Sequence, residues 1–197
     1  LEKLLRHSMR FEFTELTCDI LRVLRIHYST NAGDLKKYEH TREQLHYYQE
    51  IWHMENQVED FYTELIIRYV NSKATKMEVS EQAKVFYSIV KPYMEKCNSF
   101  KLQIFGRLIQ VFGYSSVNDY VTTARLCEDA VQFFDKKDYD SGFPLQVFYY
   151  NLITCYLQLR EFEKGRNIIE RCQNLVETGS FNWFKLQELF FLLAMHT

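Results

Sequence analysis

Apolar side chains recur along this chain at intervals of three and four residues, the spacing of one face of an α-helix. Leu16, Ile20, Val23 and Leu24, with His27 and Tyr28, form the first strong face, and the polar run Ser29-Thr30-Asn31-Ala32-Gly33-Asp34 ends it. Tyr38, Thr41, Leu45, Tyr48 and Trp52 predict a second helix. Phe61, Tyr62, Leu65, Ile66 and Tyr69 predict a third, ending at Asn71-Ser72-Lys73. A fourth is expected from about Val79 to Lys96, with Pro92 kinking or ending its hydrogen-bond ladder. A fifth spans about 99–113 and stops near Gly113-Tyr114-Ser115-Ser116; a sixth runs from Val117 to about Phe134. Lys136-Lys137-Asp138 and Ser141-Gly142 break the pattern again, and Pro144 suits a first helical turn. The last helices are predicted over about 145–159, 161–177 and, past Gly179-Ser180, 181–196. With the helix-like opening Leu1-Glu2-Lys3-Leu4-Leu5, that makes about nine or ten helices and no strand-like alternation, an all-α chain.

Composition supports this and removes several function classes. Two Pro and six Gly in 197 residues suit long helices. Sixteen Phe and fourteen Tyr make aromatic rings a main packing material. The net charge of −2, with acids and bases interspersed, offers no basic stripe, so no nucleic acid partner is expected. Five scattered cysteines without a CxxC argue against a disulfide framework and for a reducing, cytoplasmic location. The longest strongly apolar run, Leu189 to Met195, has seven residues. A membrane span needs about 20, so no membrane partner is expected.

One phrase is written twice. Residues 61–69 read FYTELIIRY and residues 148–156 read FYYNLITCY, with five of nine positions shared. If short breaks fold neighbouring helices into antiparallel hairpins, the odd (A) helices begin near 11, 57, 99, 145 and 181. Their spacing, about 36–46 residues, is a solenoid period. In the second copy Tyr149, Leu152, Ile153 and Tyr156 precede a tight turn, Arg160-Glu161-Phe162-Glu163-Lys164-Gly165, and then Ile169 and Cys172. This resembles the tetratricopeptide repeat, whose A helix carries a large aromatic, a Leu, a small residue and a Tyr. The family's B helix carries small residues that let helices approach closely. Ile153 departs from the small position and Glu177 stands where Pro is common. Leu102, Phe105, Gly106 and Ile109, followed by Tyr120, Thr123, Cys127 and Ala130, match in part.

The resemblance implies a right-handed α-α superhelix over 1–197 and a non-enzymatic scaffold that binds a protein or peptide segment. In the family the A helices line the concave surface. Carried over, that gives Thr63, Ile67 and Asn71 on one helix, Gln103, Arg107 and Gln110 on another, and Tyr150, Thr154 and Gln158 on a third. The Lys/Asn clamp for a C-terminal carboxylate is absent there, which disfavours a chaperone-tail adaptor. The alternative is a regulatory or sensor module coupled to an effector domain outside this sequence. The chain opens inside a helical pattern without Met and closes on an apolar helix with no following partner. A piece of a longer polypeptide is therefore expected, and that last helix offers a surface for homo-oligomerisation.

Two further features bear on chemistry. Glu43 and His46, then Glu50 and His53, form Glu-x-x-His pairs of the kind that build di-iron sites from separate helices. On one helix the copies stand about 10.5 Å apart, too far to share a dimetal centre. A single ion at His46, Glu50 and His53 lacks a visible fourth ligand, so no metal is expected. No Gly-rich phosphate loop or other cofactor signature occurs. Cys127 and Cys172 occupy small-residue positions and are expected to be buried. Cys97, beside Lys96 near a helix end, is the one cysteine placed for reactivity.

Overall fold

The computed structural model describes residues 1–71, 75–137 and 142–195. These are all-helical: α1 (Glu2–Arg10), α2 (Thr14–Ile26), α3 (Leu35–Val70), α4 (Lys76–Lys96), α5 (Phe100–Ser116), α6 (Tyr120–Phe134), α7 (Gly142–Gln158), α8 (Phe162–Gln173) and α9 (Phe181–Ala194). A π-helical turn, His27–Asn31, continues α2. There the Ser29 and Thr30 hydroxyls both donate to the Ile26 carbonyl, at 2.9 and 2.8 Å. Such side-chain bonds compete with the helical ladder and help to end it. The expected helix end at Ser72-Lys73, the break residues Asp138 and Ser141, and His196 lie outside the described residues.

The boundaries depart from the sequence pattern at several places: α6 starts at Tyr120 rather than Val117, α7 at Gly142, a residue expected in a break, and α8 ends at Gln173, short of 177. Three further departures have a local reason. The predicted second and third helices are one, a 36-residue α3 with no separate start near 57. Its polar middle contains no Gly or Pro, and Ile51, Met54 and Val58 keep a buried face through it. Without a breaker, a continued apolar stripe propagates the helix. The α4 helix starts at Lys76 rather than Val79 because Thr75 and Glu78 form a capping box. The Thr75 amide donates to Glu78 Oε2 at 2.6 Å and the Glu78 amide to Thr75 Oγ1 at 3.2 Å. Pro92 neither ends α4 nor prevents it reaching Lys96. Finally, α5 passes through Gly113 to Ser116. That glycine is a packing residue, since a Cβ there would stand 2.8 Å from the Ala83 methyl.

Contacts divide the chain into two compact units, Leu1–Ile67 with Val85–Gly106 and Arg68–Lys84 with Arg107–Thr197. In the first, α1 packs on α2. Cys18, Leu21 and Leu45 form one core cluster with Leu5, Tyr48 and Trp52, and Ile20, Leu24 and Tyr28 form another with Leu5 and Tyr38. Phe61 stacks on Phe86 with ring centroids 4.2 Å apart, and Tyr62 meets Phe105 at 5.6 Å. In the second unit, α7 packs against α6, α8 and α9, and α8 packs against α9. Phe134 and Phe148 stack at 5.8 Å within a fully buried set that includes Leu152, Ile153, Ile169, Leu186 and Leu193. Each such side chain contributes about 1.5–3 kcal/mol by leaving water. Gly165 admits Leu193, whose methyls lie 3.0 and 3.1 Å from where a Cβ would be.

Candidate functional site

The nine residues carried over from the repeat resemblance fall in different environments. Thr63, Ile67, Asn71, Thr154 and Gln158 are exposed, while Arg107, Gln110 and Tyr150 are half-buried. Gln103 is only 3% exposed and lines no open surface. Its amide donates to the Met94 and Cys97 carbonyls at 2.9 and 3.2 Å. It thus satisfies carbonyls at the end of α4 that no helical amide can reach. In the second unit the Arg107 guanidinium lies over the Phe133 ring at 4.6 Å. Tyr150 donates its hydroxyl to the Asn182 carbonyl at 2.8 Å, and burial pushes its phenol up to about 12. Asn182 in turn donates to Gln146 Oε1 at 2.9 Å, and Gln146 donates to the Leu175 carbonyl. Tyr150 therefore helps dock α9 onto α7.

A buried carboxylate that the repeat pattern did not single out organises a second site, in the first unit. Glu55 of α3 is 5% exposed. Its Oε1 accepts from Thr14 Oγ1 at 2.6 Å and from the Ser99 hydroxyl. Thr14 opens α2, and Ser99, just before α5, also accepts from the Leu102 amide at 3.4 Å. One carboxylate thus links two helix starts to the middle of α3. Burial pushes the Glu55 carboxyl up, while the Ser99 and Thr14 hydroxyls and the Lys101 charge pull it down. Lys101 itself pairs with Glu59 at 2.5 Å.

Thr14 and Ser99 also line a cavity of about 140 Å³ together with Met9, Glu12, Tyr47, Tyr48, Ile51, Cys97 and Asn98. The Tyr47 and Tyr48 rings meet edge to face at 5.2 Å. Burial, with Glu55 and Glu12 nearby, pushes the Cys97 thiol up, so the position singled out for reactivity has a reduced thiolate fraction at neutral pH. Cys127 and Cys172 are fully buried and their thiols are likewise pushed up, Cys172 to about 12. Glu43, His46, Glu50 and His53 are all exposed on α3. Among the described residues, no three His, Cys, Asp or Glu side chains are grouped to hold a metal ion. Among them, too, no helix is long and apolar enough to cross a membrane.

Glu55 was within reach of the sequence. Thr41, Leu45, Ile51 and Val58 form the buried stripe of α3, and Glu55 stands in that register. A carboxylate on an apolar face is the signal, but it appears only once α3 is drawn as one helix. No family model, curated protein or solved structure matches this chain.

Proposed function

We propose that the chain is a non-enzymatic helical-repeat scaffold, similar to tetratricopeptide-repeat arrays. It folds as a right-handed α-α superhelix and binds a protein or peptide segment. One observation supports the reading: in the second unit α7 and α8 pack on each other, and α6 and α9 pack on that pair. Stacked hairpins of this kind build extended surfaces from equivalent positions of successive units. The starts of α5, α7 and α9 at Phe100, Gly142 and Phe181 recur at intervals of about 40 residues, within the range of such repeats. Thr154 and Gln158 are exposed on α7 and face the partner. Tyr150 supports that surface through its bond to α9.

The test places a photo-crosslinking side chain at Thr154 or Gln158 and, as control, at Glu170, which is exposed on α8. A single partner captured from α7 positions but not from Glu170, and lost when Thr154 and Gln158 are both changed to Lys, supports the groove. Equal capture from all three sites, or retention by a double variant of unchanged helicity, refutes it.

A further inference from the structure

We propose that the cavity over Glu55 in the first unit binds a small organic ammonium group, either a free amine or the end of a lysine side chain. This does not depend on the scaffold reading, which concerns α7 in the second unit. The first reason is the direction of the hydrogen bonds. Thr14 and Ser99 line the cavity and both give their hydroxyl protons to Glu55. A hydroxyl that has donated its only proton keeps lone pairs as acceptors. Thr14 therefore offers an acceptor to a guest, with a carboxylate behind it.

The second reason is the charge of the lining. Among the described residues that line the cavity, Glu12 is acidic and none is basic. The negative charge of Glu12 is felt at both Glu55 and Cys97. Lys101 acts on Glu55, but Glu59 engages it at 2.5 Å. The third reason is aromatic. Tyr47 and Tyr48 both border the cavity, and ring faces attract cations, ammonium groups especially. The fourth is size. A cavity of about 140 Å³ has room for a methylated amine. An entering cation exchanges water for two tyrosine rings, a hydroxyl acceptor and a nearby carboxylate.

The experiment titrates the whole chain with tetramethylammonium, methylammonium and Nα-acetyl-lysine amide, following amide and tyrosine ring NMR shifts. The uncharged isostere tert-butanol is the control. Saturable shifts confined to residues around Tyr47, Tyr48 and Ser99 are expected with at least one ammonium probe. Binding of the free amines assigns a small-molecule source; binding of the lysine amide alone assigns a peptide side chain. Glu55→Gln keeps an oxygen acceptor for both hydroxyls and should weaken binding at least about tenfold. If that variant fails to fold, Tyr47→Leu, at a position 48% exposed, should weaken it in the same direction. Tert-butanol binding as tightly as tetramethylammonium would overturn the proposal, as would no saturable shift with any probe. So would unchanged affinity in a folded Glu55→Gln or Tyr47→Leu.

Discussion

The two copies of the repeated phrase, FYTELIIRY and FYYNLITCY, have different fates. In the second, every shared residue is buried: Phe148, Tyr149, Leu152, Ile153 and Tyr156 are each at most 5% exposed. In the first only Leu65 is buried; Phe61, Tyr62 and Ile66 are half-buried and Tyr69 is 47% exposed. Both phrases close a helix, α3 and α7. The difference is what surrounds them. Three helices of the second unit pack against α7, so the face that carries the shared residues is covered while Thr154 and Gln158 stay exposed. The α3 helix, 36 residues long against 17 for α7, carries an exposed polar face with Glu43, His46, Glu50 and His53. Identical letters therefore contribute unequally, because burial belongs to the neighbours as much as to the residue.

Truncation should show this most strongly. Phe148→Ala removes a fully buried ring stacked on Phe134 and should cost about 3–5 kcal/mol by urea denaturation. Phe61→Ala, half-buried against Phe86, should cost clearly less. Equal losses would erase the distinction. Leu152→Ala and Leu65→Ala, buried alike, should instead match within the usual scatter.

A smaller effect concerns the closing tyrosines. Tyr156 donates its hydroxyl to the Glu128 carboxylate, so Tyr156→Phe should cost about 1.5–3 kcal/mol. Tyr69 meets Phe112 edge to face at 5.3 Å through its ring, which Tyr69→Phe retains. That variant should be close to neutral. A comparable loss at Tyr69 would show that the first phrase is also anchored by its hydroxyl.

The smallest expected effect is a pH dependence specific to the first unit. Burial raises the folded carboxyl of Glu55 above its unfolded value, so between the two the folded state holds more protons. Stability from this group is full below the ordinary glutamate range and falls as pH rises through the raised folded value. Glu55→Gln should flatten that slope. Lys101 and Glu12 act on the same carboxyl and remain in the variant. An unchanged slope would assign the pH response to other groups.

Several features were legible without coordinates. The all-helical class followed from three- and four-residue spacing with few Gly and Pro. The start of α8 and the small-residue role of Gly165 were readable because Phe162, Gly165, Ile169 and Cys172 follow one another at helical spacing. What failed was segmentation wherever polarity was taken for a break. The stretch between Trp52 and Phe61 looks like a linker, yet Met54 and Val58 carry the buried face through it. Gly113 looked like a stop and is a contact with Ala83. Gln103 looked like a surface residue, and closes carbonyls at the end of α4.

The sequence by itself determined the helix-forming segments and the amphipathic faces that need cover, because those depend on neighbours three or four residues away. Which faces were covered was decided only in three dimensions. Thr14, Glu55 and Ser99 lie 41 and 44 residues apart and meet at one oxygen atom. No periodicity encodes that meeting. It arises because two helix starts converge on the middle of a third helix and bury a carboxylate, whose cost is offset only when both hydroxyls arrive together.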